Sequence, residues 1–196
     1  MPEAAAASRF VFHSTPIDGV AEVEFAPVGD HRGTFARLFD AEEFVATGLF
    51  PHGAVQTNLA LTQVAGTVRG LHWQEETDGR TGEAKLITCI AGRVFDVAVD
   101  LRPGSPTRLQ HHAVELAAGR WRALLIPPGV AHGMQALEDG SALLYHHAAP
   151  FDATLERGAR ADDPALAIPW PQPIRDLSDR DRAHALLGPD TEEGRR

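Results

Sequence analysis

Two histidines and a lysine stand where they could carry out acid–base chemistry. His72 ends the segment Arg69-Gly70-Leu71-His72, His132 ends Pro127-Pro128-Gly129-Val130-Ala131-His132, and Lys85 opens an apolar run between them. An imidazole can take up a proton near neutral pH, and an ammonium group can offset negative charge that develops during a reaction. The three residue types therefore favour proton transfer on an anionic or carbonyl substrate.

The spacing of these residues resembles the two sequence motifs of cupin barrels. The first motif has a glycine, five residues, His-x-His, and then a glutamate seven residues before a closing glycine. Gly66 and His72 fit this pattern, whereas Gln74 replaces the second histidine and Lys85 replaces the glutamate. A protonated lysine cannot ligate a metal, and His72 with His132 would form only half a site. We therefore expect a cupin-like pocket without a metal, in which His132 makes a polar substrate contact.

Composition limits the possible partners and the compartment. A net charge of −9 disfavours nonspecific binding of nucleic acid, because phosphate binding draws on clustered Lys and Arg. The single cysteine, Cys89, excludes an intrachain disulfide and favours the cytoplasm. No signal peptide or membrane span is evident.

The length suits one domain with a substantial core. We expect a single domain over residues 9–188, a mobile N-terminal tail over residues 1–8 and a mobile C-terminal tail over residues 189–196.

Short segments punctuated by Gly and Pro predict an all-β protein, a cupin or jelly-roll barrel with a few short helices. Alternation in Val94–Asp100 implies a strand with one buried face. Helices are expected at Ala41–Thr47, capped by Asp40, and at Ser178–Leu187, capped by Ser178. The predicted strands are Val20–Val28, Phe35–Phe39, Ala54–Leu61, Gly66–Gln74, Lys85–Ile90, Arg93–Leu101, His111–Leu116, Arg122–Ile126, Gly133–Leu137 and Ala142–His147.

From about Gly29 to Leu187 the chain resembles the dTDP-4-dehydrorhamnose 3,5-epimerases. The resemblance lies in motifs that occur in order and at family-like spacing: Arg69–Gln74, Lys85-Leu86, Val94–Arg102, Gly104–Thr107, Ile126–Gly133, Leu144-Tyr145, Glu156–Ala165, Ile168–Pro171 and Leu177–Asp181. It implies a metal-independent cupin without a cofactor, usually a homodimer, that epimerises a nucleotide-linked 4-keto-6-deoxysugar at C-3, C-5 or both.

The resemblance also assigns catalytic roles. His72 matches the base that removes a proton next to the ketone, and Asp181 matches the carboxylate that orients it. Lys85 would stabilise the enolate oxygen, and Tyr145, the only tyrosine, would return a proton from the opposite face.

Substrate binding is assigned to a second group of matching positions. Arginines hold pyrophosphate oxygens, an aromatic ring stacks on the base, and amide side chains reach the base or ribose. The positions are Arg32, Phe35, Gln56, Asn58 and Arg69, with Arg180 and Glu156 completing the pocket.

The residues leave three alternatives open: a metal-dependent cupin enzyme, a sugar-nucleotide 3,4-ketoisomerase, and a cupin that binds a sugar nucleotide without catalysis. The pairs His111-His112 and His146-His147 cannot chelate as units, because neighbours on a strand point to opposite faces. We expect these two pairs at solvated or partly buried surface.

Overall fold

The computed structural model describes residues 8–76 and 82–187. The two expected tails therefore lie outside the described residues, apart from Ser8, whose hydroxyl hydrogen-bonds to Glu43 and to the carbonyl of Phe10. No helix in these two ranges is long and apolar enough to cross a membrane.

Thirteen strands and two short helices form the described fold. The strands are β1 (Phe10–Ser14), β2 (Ala21–Phe25), β3 (Val28–Asp30), β4 (Gly33–Phe35), β5 (Gln56–Thr62), β6 (Val68–Gln74), β7 (Lys85–Ala91), β8 (Arg93–Asp100), β9 (His111–Ala117), β10 (Arg122–Ile126), β11 (Val130–Ala136), β12 (Ser141–His147) and β13 (Glu156–Gly158). The helices are α1 (Ala41–Val45) and α2 (Asp179–Ala183).

Two antiparallel sheets carry the site. The six-stranded sheet has the order β1-β2-β10-β7-β12-β5, and the five-stranded sheet has the order β13-β6-β11-β8-β9. One buried cluster takes apolar residues from both sheets, for example Ile87 and Leu143 from the first and Val94 and Met134 from the second. The predicted all-β jelly-roll architecture is confirmed.

Nine of the ten predicted strands overlap observed strands by more than one residue. The prediction at Phe35–Phe39 is wrong, since β4 ends at Phe35. Leu38 and Phe39 instead pack against the cluster that contains Phe44 of α1, where the Phe39 and Phe44 rings stack with centroids 4.8 Å apart. Strands β1, β3, β4 and β13 were missed; β13 is only three residues long and is defined by its pairing with β6.

The prediction that β8 buries one face is incomplete. Val94 and Ala98 face the core between the sheets, whereas Val97 and Val99 lie in a second cluster on the other face. The segment after β13 covers that outer face with Leu166 and other apolar side chains. Strands covered on both faces lose the polar alternation that marks a half-exposed strand.

Both helix caps are confirmed, but the second helix is shorter than predicted. The Asp40 carboxylate accepts from the backbone N–H groups of Glu42 and Glu43, and the Ser178 hydroxyl accepts from the N–H of Asp181. Helix α2 ends at Ala183, after which the chain is extended and the N–H of Leu187 bonds to the Asp163 carboxylate at 2.5 Å. That bond and the packing of Leu187 on the outer cluster end the helix early.

The loop after β8 is organised around the buried carboxylate of Asp100. It accepts from the guanidinium of Arg102 at 2.8 and 3.0 Å and from the hydroxyls of Ser105 and Thr107 at 2.6 Å each. Burial acts to raise the pKa of the Asp100 carboxyl, but the hydrogen bonds from Arg102, Ser105 and Thr107 outweigh it and hold the pKa well below its ordinary value.

Asp100→Asn is expected to destabilise the fold by about 3 kcal/mol at pH 7, the scale for breaking a buried ion pair. Because the folded pKa of Asp100 lies below the unfolded one, its contribution is present above the unfolded pKa of about 3.9 and fades as the pH falls through the folded pKa. Urea unfolding of wild type and variant from pH 7 to pH 3 would measure this convergence. Asp162→Asn, which breaks an exposed pair with Arg160, is the matched control. A constant difference in free energy of unfolding would contradict the prediction.

Candidate active site

One cavity of about 350 Å³ opens between the two sheets and brings together all four predicted catalytic side chains. Its lining includes His72, Lys85, Tyr145 and Asp181, together with Arg69, His132, His147 and Arg180. Three cationic side chains at one pocket of a protein with a net charge of −9 would attract an anionic ligand.

His72 and Asp181 form a hydrogen-bonded pair. His72 Nε2 lies 2.7 Å from Asp181 Oδ1, and Asp181 Oδ2 accepts from the N–H of Gly70 at 3.3 Å. Burial acts to raise the pKa of Asp181, yet the interactions with His72 and Gly70 bring it below its ordinary value, so the carboxylate is ionised. An ionised partner at Nε2 keeps the hydrogen on that nitrogen and leaves Nδ1 of His72 as the basic one.

Gly70 makes this geometry possible. Its φ is +116°, and a Cβ at this position would lie 2.7 Å from the carbonyl oxygen of His132 and from Cα of Gly133 on β11. No other residue type fits so close an approach of two strands. The glycine lets β6 and β11 bring His72 and His132 into direct register.

Tyr145 and Lys85 come from the facing sheet, on β12 and β7. Burial, and after it the negative charge of Asp96, raise the pKa of the Tyr145 phenol well above its ordinary value, so it keeps its proton. The Lys85 side chain is 9% exposed, and its Nζ donates to the carbonyl of His72 at 3.3 Å. A substrate between the sheets would therefore meet a base on one side and a protonated phenol on the other.

His132 has a carboxylate partner of its own. Its Nε2 lies 2.7 Å from Oδ1 of Asp96, which is completely buried, and its ring makes an edge contact with Tyr145 at 5.7 Å. Asp96 Oδ2 is buried and has no hydrogen-bond partner among the described residues. The substrate contact expected of His132 stays a prediction.

Sequence reasoning missed Glu83, His147 and Asp96. The expectation of surface for His146-His147 is wrong at His147, which is 8% exposed and hydrogen-bonds through Nδ1 to Glu83 at 2.7 Å. A signal existed: His147 lies two residues after Tyr145 and Glu83 two residues before Lys85, so each shares a face with a catalytic candidate.

The substrate-binding candidates Gln56, Asn58, Arg69, Arg180 and Glu156 lie in or beside the pocket. The Arg69 guanidinium crosses to β5, donating to the Thr62 hydroxyl at 3.0 Å and the Leu61 carbonyl at 3.2 Å. Arg180 forms an ion pair with Glu156. Gln56 and Asn58 share one face of β5, and the Asn58 amide lies 3.3 Å from the His147 ring.

Arg32 and Phe35 lie outside this pocket. They belong to the β3–β4 hairpin, a separate two-stranded sheet in which Phe35 is 72% exposed and Arg32 pairs with Asp30. Within one chain these two residues are not brought to His72.

One group of potential metal ligands exists among the described residues. His72, Asp181 and His184 each offer a ligand atom, and these atoms lie within 4.8 Å of one another. A metal there would compete with the His72–Asp181 hydrogen bond and with the nearby ammonium of Lys85. The expectation of a metal-free site stays a prediction.

Comparison with known proteins places these features in a family. Residues 14–188 match the family model for dTDP-4-dehydrorhamnose 3,5-epimerase. A dTDP-4-dehydrorhamnose 3,5-epimerase of Sinorhizobium fredii is 38% identical, over 82% of this chain and 80% of its own length. A dTDP-4-dehydrorhamnose 3-epimerase of Streptomyces niveus is 37% identical, over 87% and 81% respectively.

A solved structure agrees with the sequence relatives. The 3,5-epimerase of Legionella pneumophila, in complex with dTDP-4-keto-L-rhamnose, superposes with a TM-score of 0.81 at 35% identity, covering 90% of this chain and 92% of that one. The matches span nearly the whole described fold, including both sheets and the pocket between them. The chain belongs to the dTDP-4-dehydrorhamnose 3,5-epimerase family.

Proposed function

We propose that this protein epimerises a dTDP-linked 4-keto-6-deoxyhexose at C-3, at C-5 or at both. The observation that carries the proposal is the placement of a carboxylate-paired histidine and a protonated tyrosine on facing sheets of one pocket. Inversion of a carbon needs a proton removed on one face and supplied on the other, which this arrangement allows.

The reaction starts at a carbon next to the C-4 ketone. Nδ1 of His72 takes the proton from that carbon, Asp181 stabilises the imidazolium, and the electron pair moves onto the ketone oxygen. The Lys85 ammonium stabilises this enolate oxygen. Tyr145 then donates its phenol proton to the opposite face, and exchange with solvent resets both groups.

The relatives favour the sugar nucleotide but leave the number of inverted carbons open. The Streptomyces niveus protein is named for C-3 alone, whereas the Sinorhizobium fredii protein is named for both carbons. The Legionella structure holds dTDP-4-keto-L-rhamnose, which supports a dTDP-linked ligand. We further propose that the enzyme acts in the cytoplasm, as the lone buried Cys89 favours.

Incubation with dTDP-4-keto-6-deoxyglucose in D2O, followed by NMR at C-3 and C-5, tests the function. Deuterium at both carbons with inversion would establish a double epimerase, and deuterium at one would define a single-centre enzyme. Migration of the keto group would instead support a 3,4-ketoisomerase. Binding of dTDP without exchange at either carbon would leave a binding protein.

We also propose a homodimer in which the β3–β4 hairpin reaches the partner's pocket. The hairpin stands apart from both sheets and exposes Phe35, and the exposed edge of β5 carries the apolar side chains of Leu59 and Leu61. Such an exchange would bring the guanidinium of Arg32 to the pyrophosphate that the family resemblance assigns to it.

Arg32→Ala is expected to weaken dTDP binding by about 10- to 100-fold, the range for losing hydrogen bonds to a charged group. The turnover number should change little, because Arg32 does not contact the reacting carbons. Calorimetry with dTDP and steady-state kinetics would measure the two effects, with Arg93→Ala as the matched control on β8.

Mixed dimers decide whether the contact crosses subunits. Co-refolded Arg32→Ala and His72→Ala chains would contain one pocket with both native residues if the hairpin is exchanged, and turnover with the wild-type KM should then appear. Turnover only with the raised KM of Arg32→Ala, in mixed dimers purified through two different affinity tags, would contradict the exchange.

A further inference from the structure

Lys85 is the only lysine in the 196-residue sequence, and its ammonium group is held by a buried carboxylate. Lys85 Nζ lies 3.2 Å from Glu83 Oε2, with side-chain exposures of 9% and 5%. Glu83 and Lys85 are two residues apart in extended chain, so both point to the same side, while Ala84 between them is buried in the opposite cluster. The pair is therefore fixed by backbone geometry as well as by charge.

Glu83 has a second partner that comes from another strand. Its Oε1 accepts from Nδ1 of His147 at 2.7 Å. His147 pairs in register with Lys85 across β12 and β7, which brings both to one carboxylate. Burial acts to raise the pKa of Glu83, but the hydrogen bond from His147 and the charge of Lys85 bring it below its ordinary value. The carboxylate is ionised and both of its oxygens are used.

A chain of hydrogen bonds extends from His147 through two amide side chains to the backbone of Phe151. The backbone N–H of Phe151 donates to Gln56 Oε1 at 3.1 Å, and Gln56 Nε2 donates to Asn58 Oδ1 at 3.2 Å. Asn58 Nδ2 then lies 3.3 Å from His147 Nε2. The backbone N–H of Phe151 can only donate, so it fixes the orientation of the Gln56 amide and, through it, of the Asn58 amide. The Asn58 NH2 group then donates to Nε2 of His147, which therefore carries its hydrogen on Nδ1, facing Glu83.

We propose that Glu83 and His147 are positioning residues for Lys85, and that the side chains of Gln56, Asn58, His147 and Glu83 form a Lys85 anchor. The inference rests on the proposed function, in which Lys85 stabilises the enolate oxygen. The anchor holds the ammonium group at one place in the pocket before substrate arrives. Preorganised charge of this kind needs no rearrangement when the enolate forms.

The anchor gives Gln56 and Asn58 a role beyond nucleotide contact. Their amides orient His147, and through Glu83 they reach the catalytic ammonium group. Substitution of any residue of the Lys85 anchor is expected to lower the turnover number. The Lys85 ammonium group, which would then shift, contacts the enolate oxygen rather than the nucleotide.

Glu83→Gln keeps the shape of the carboxylate and removes its charge. The turnover number should fall by about 100-fold, the cost of misplacing a catalytic group by about 1 Å. KM should stay within about threefold, as expected when a contact made in the transition state is lost.

Substitutions at His147 separate positioning from packing. His147→Asn retains a donor at the place of Nδ1 and should keep the turnover number within about fivefold, whereas His147→Leu should lose about 10- to 100-fold. His146→Leu is the matched control on the same strand, since His146 faces away and bonds to Thr57. Equal losses in the Asn and Leu variants of His147 would overturn the positioning role.

A readout independent of activity comes from the single lysine. A ¹H–¹⁵N spectrum of the side-chain ammonium group can contain only the signal of Lys85. We expect slow hydrogen exchange of this signal in the wild type and in His147→Asn, and faster exchange in Glu83→Gln and His147→Leu.

The kinetics and the Lys85 ammonium signal together distinguish failure of the proposed function from failure of the Lys85 anchor. If the wild type does not exchange the sugar protons in D2O, the proposed function fails, while the ammonium signal still decides whether the anchor exists. If the wild type is active and Glu83→Gln keeps both its turnover number and a protected Lys85 signal, the anchor is overturned.

Discussion

The His72→Ala protein is expected to incorporate deuterium at the sugar carbons about 100- to 10,000-fold more slowly than the wild type, the range for a general base. The Nδ1 atom that accepts the substrate proton is lost, while Asp181 remains in place with its contact to Gly70. NMR in D2O measures the exchange at C-3 and C-5 separately. Added imidazole should restore part of the rate by filling the vacated space.

Two controls accompany the His72 experiment. Thermal unfolding should show that His72→Ala keeps its fold, since His72 is partly exposed and lies outside the buried core clusters. Asp181→Asn should also slow exchange strongly, because the Gly70 N–H would hold the amide oxygen and leave the amide NH2 group facing Nε2 of His72, which moves the histidine hydrogen onto Nδ1. Substantial turnover by His72→Ala without imidazole would remove this residue from the role of base.

Tyr145→Phe is expected to separate proton removal from inversion. The base can still remove and return a proton on its own face, so exchange with D2O should persist, while the epimerised product falls by about 100-fold or more. The raised pKa of Tyr145 means that the wild-type phenol holds its proton across the physiological range. NMR distinguishes deuterated starting sugar from deuterated product.

The stereochemical result would identify the acid directly. Deuterated sugar of unchanged configuration, formed by Tyr145→Phe alone, supports the assignment. Unimpaired formation of inverted product would transfer the role of acid to another group of the pocket lining, such as His132, whose ring contacts that of Tyr145. The ring of Phe at position 145 preserves the packing against His132 and His147, so a loss of product would not reflect a collapsed pocket.

The sequence predicts the strands well and the contacts between distant strands poorly. The segment Arg122–Ile126 is a strand with the bounds expected from its residues. Glu83 and His147, however, are 64 residues apart, and only the register of β7 with β12 brings them together. No local pattern contains that register, so the buried Glu83 was not foreseen.

The contact between His72 and Asp181 likewise could not be predicted from a local sequence pattern. His72 and Asp181 are 109 residues apart, and composition alone would leave Asp181 as one charge in a polar segment. The family resemblance supplied the pairing, and the geometry agrees with it. For Arg32 and Phe35, neither the family resemblance nor the structure of one chain gives their position relative to the pocket, because their expected contact involves a second chain.

The division of the proposed base and acid between two sheets would give the apolar core a part in stereochemistry. Ile87, Met134 and Leu143 fill the space between the sheets, and each lies two residues from a pocket side chain, namely Lys85, His132 and Tyr145. The gap that a sugar ring must span is thus set by the bulk of side chains that never touch it. The volume of these core side chains would therefore set the distance between the proposed base, His72, and the proposed acid, Tyr145.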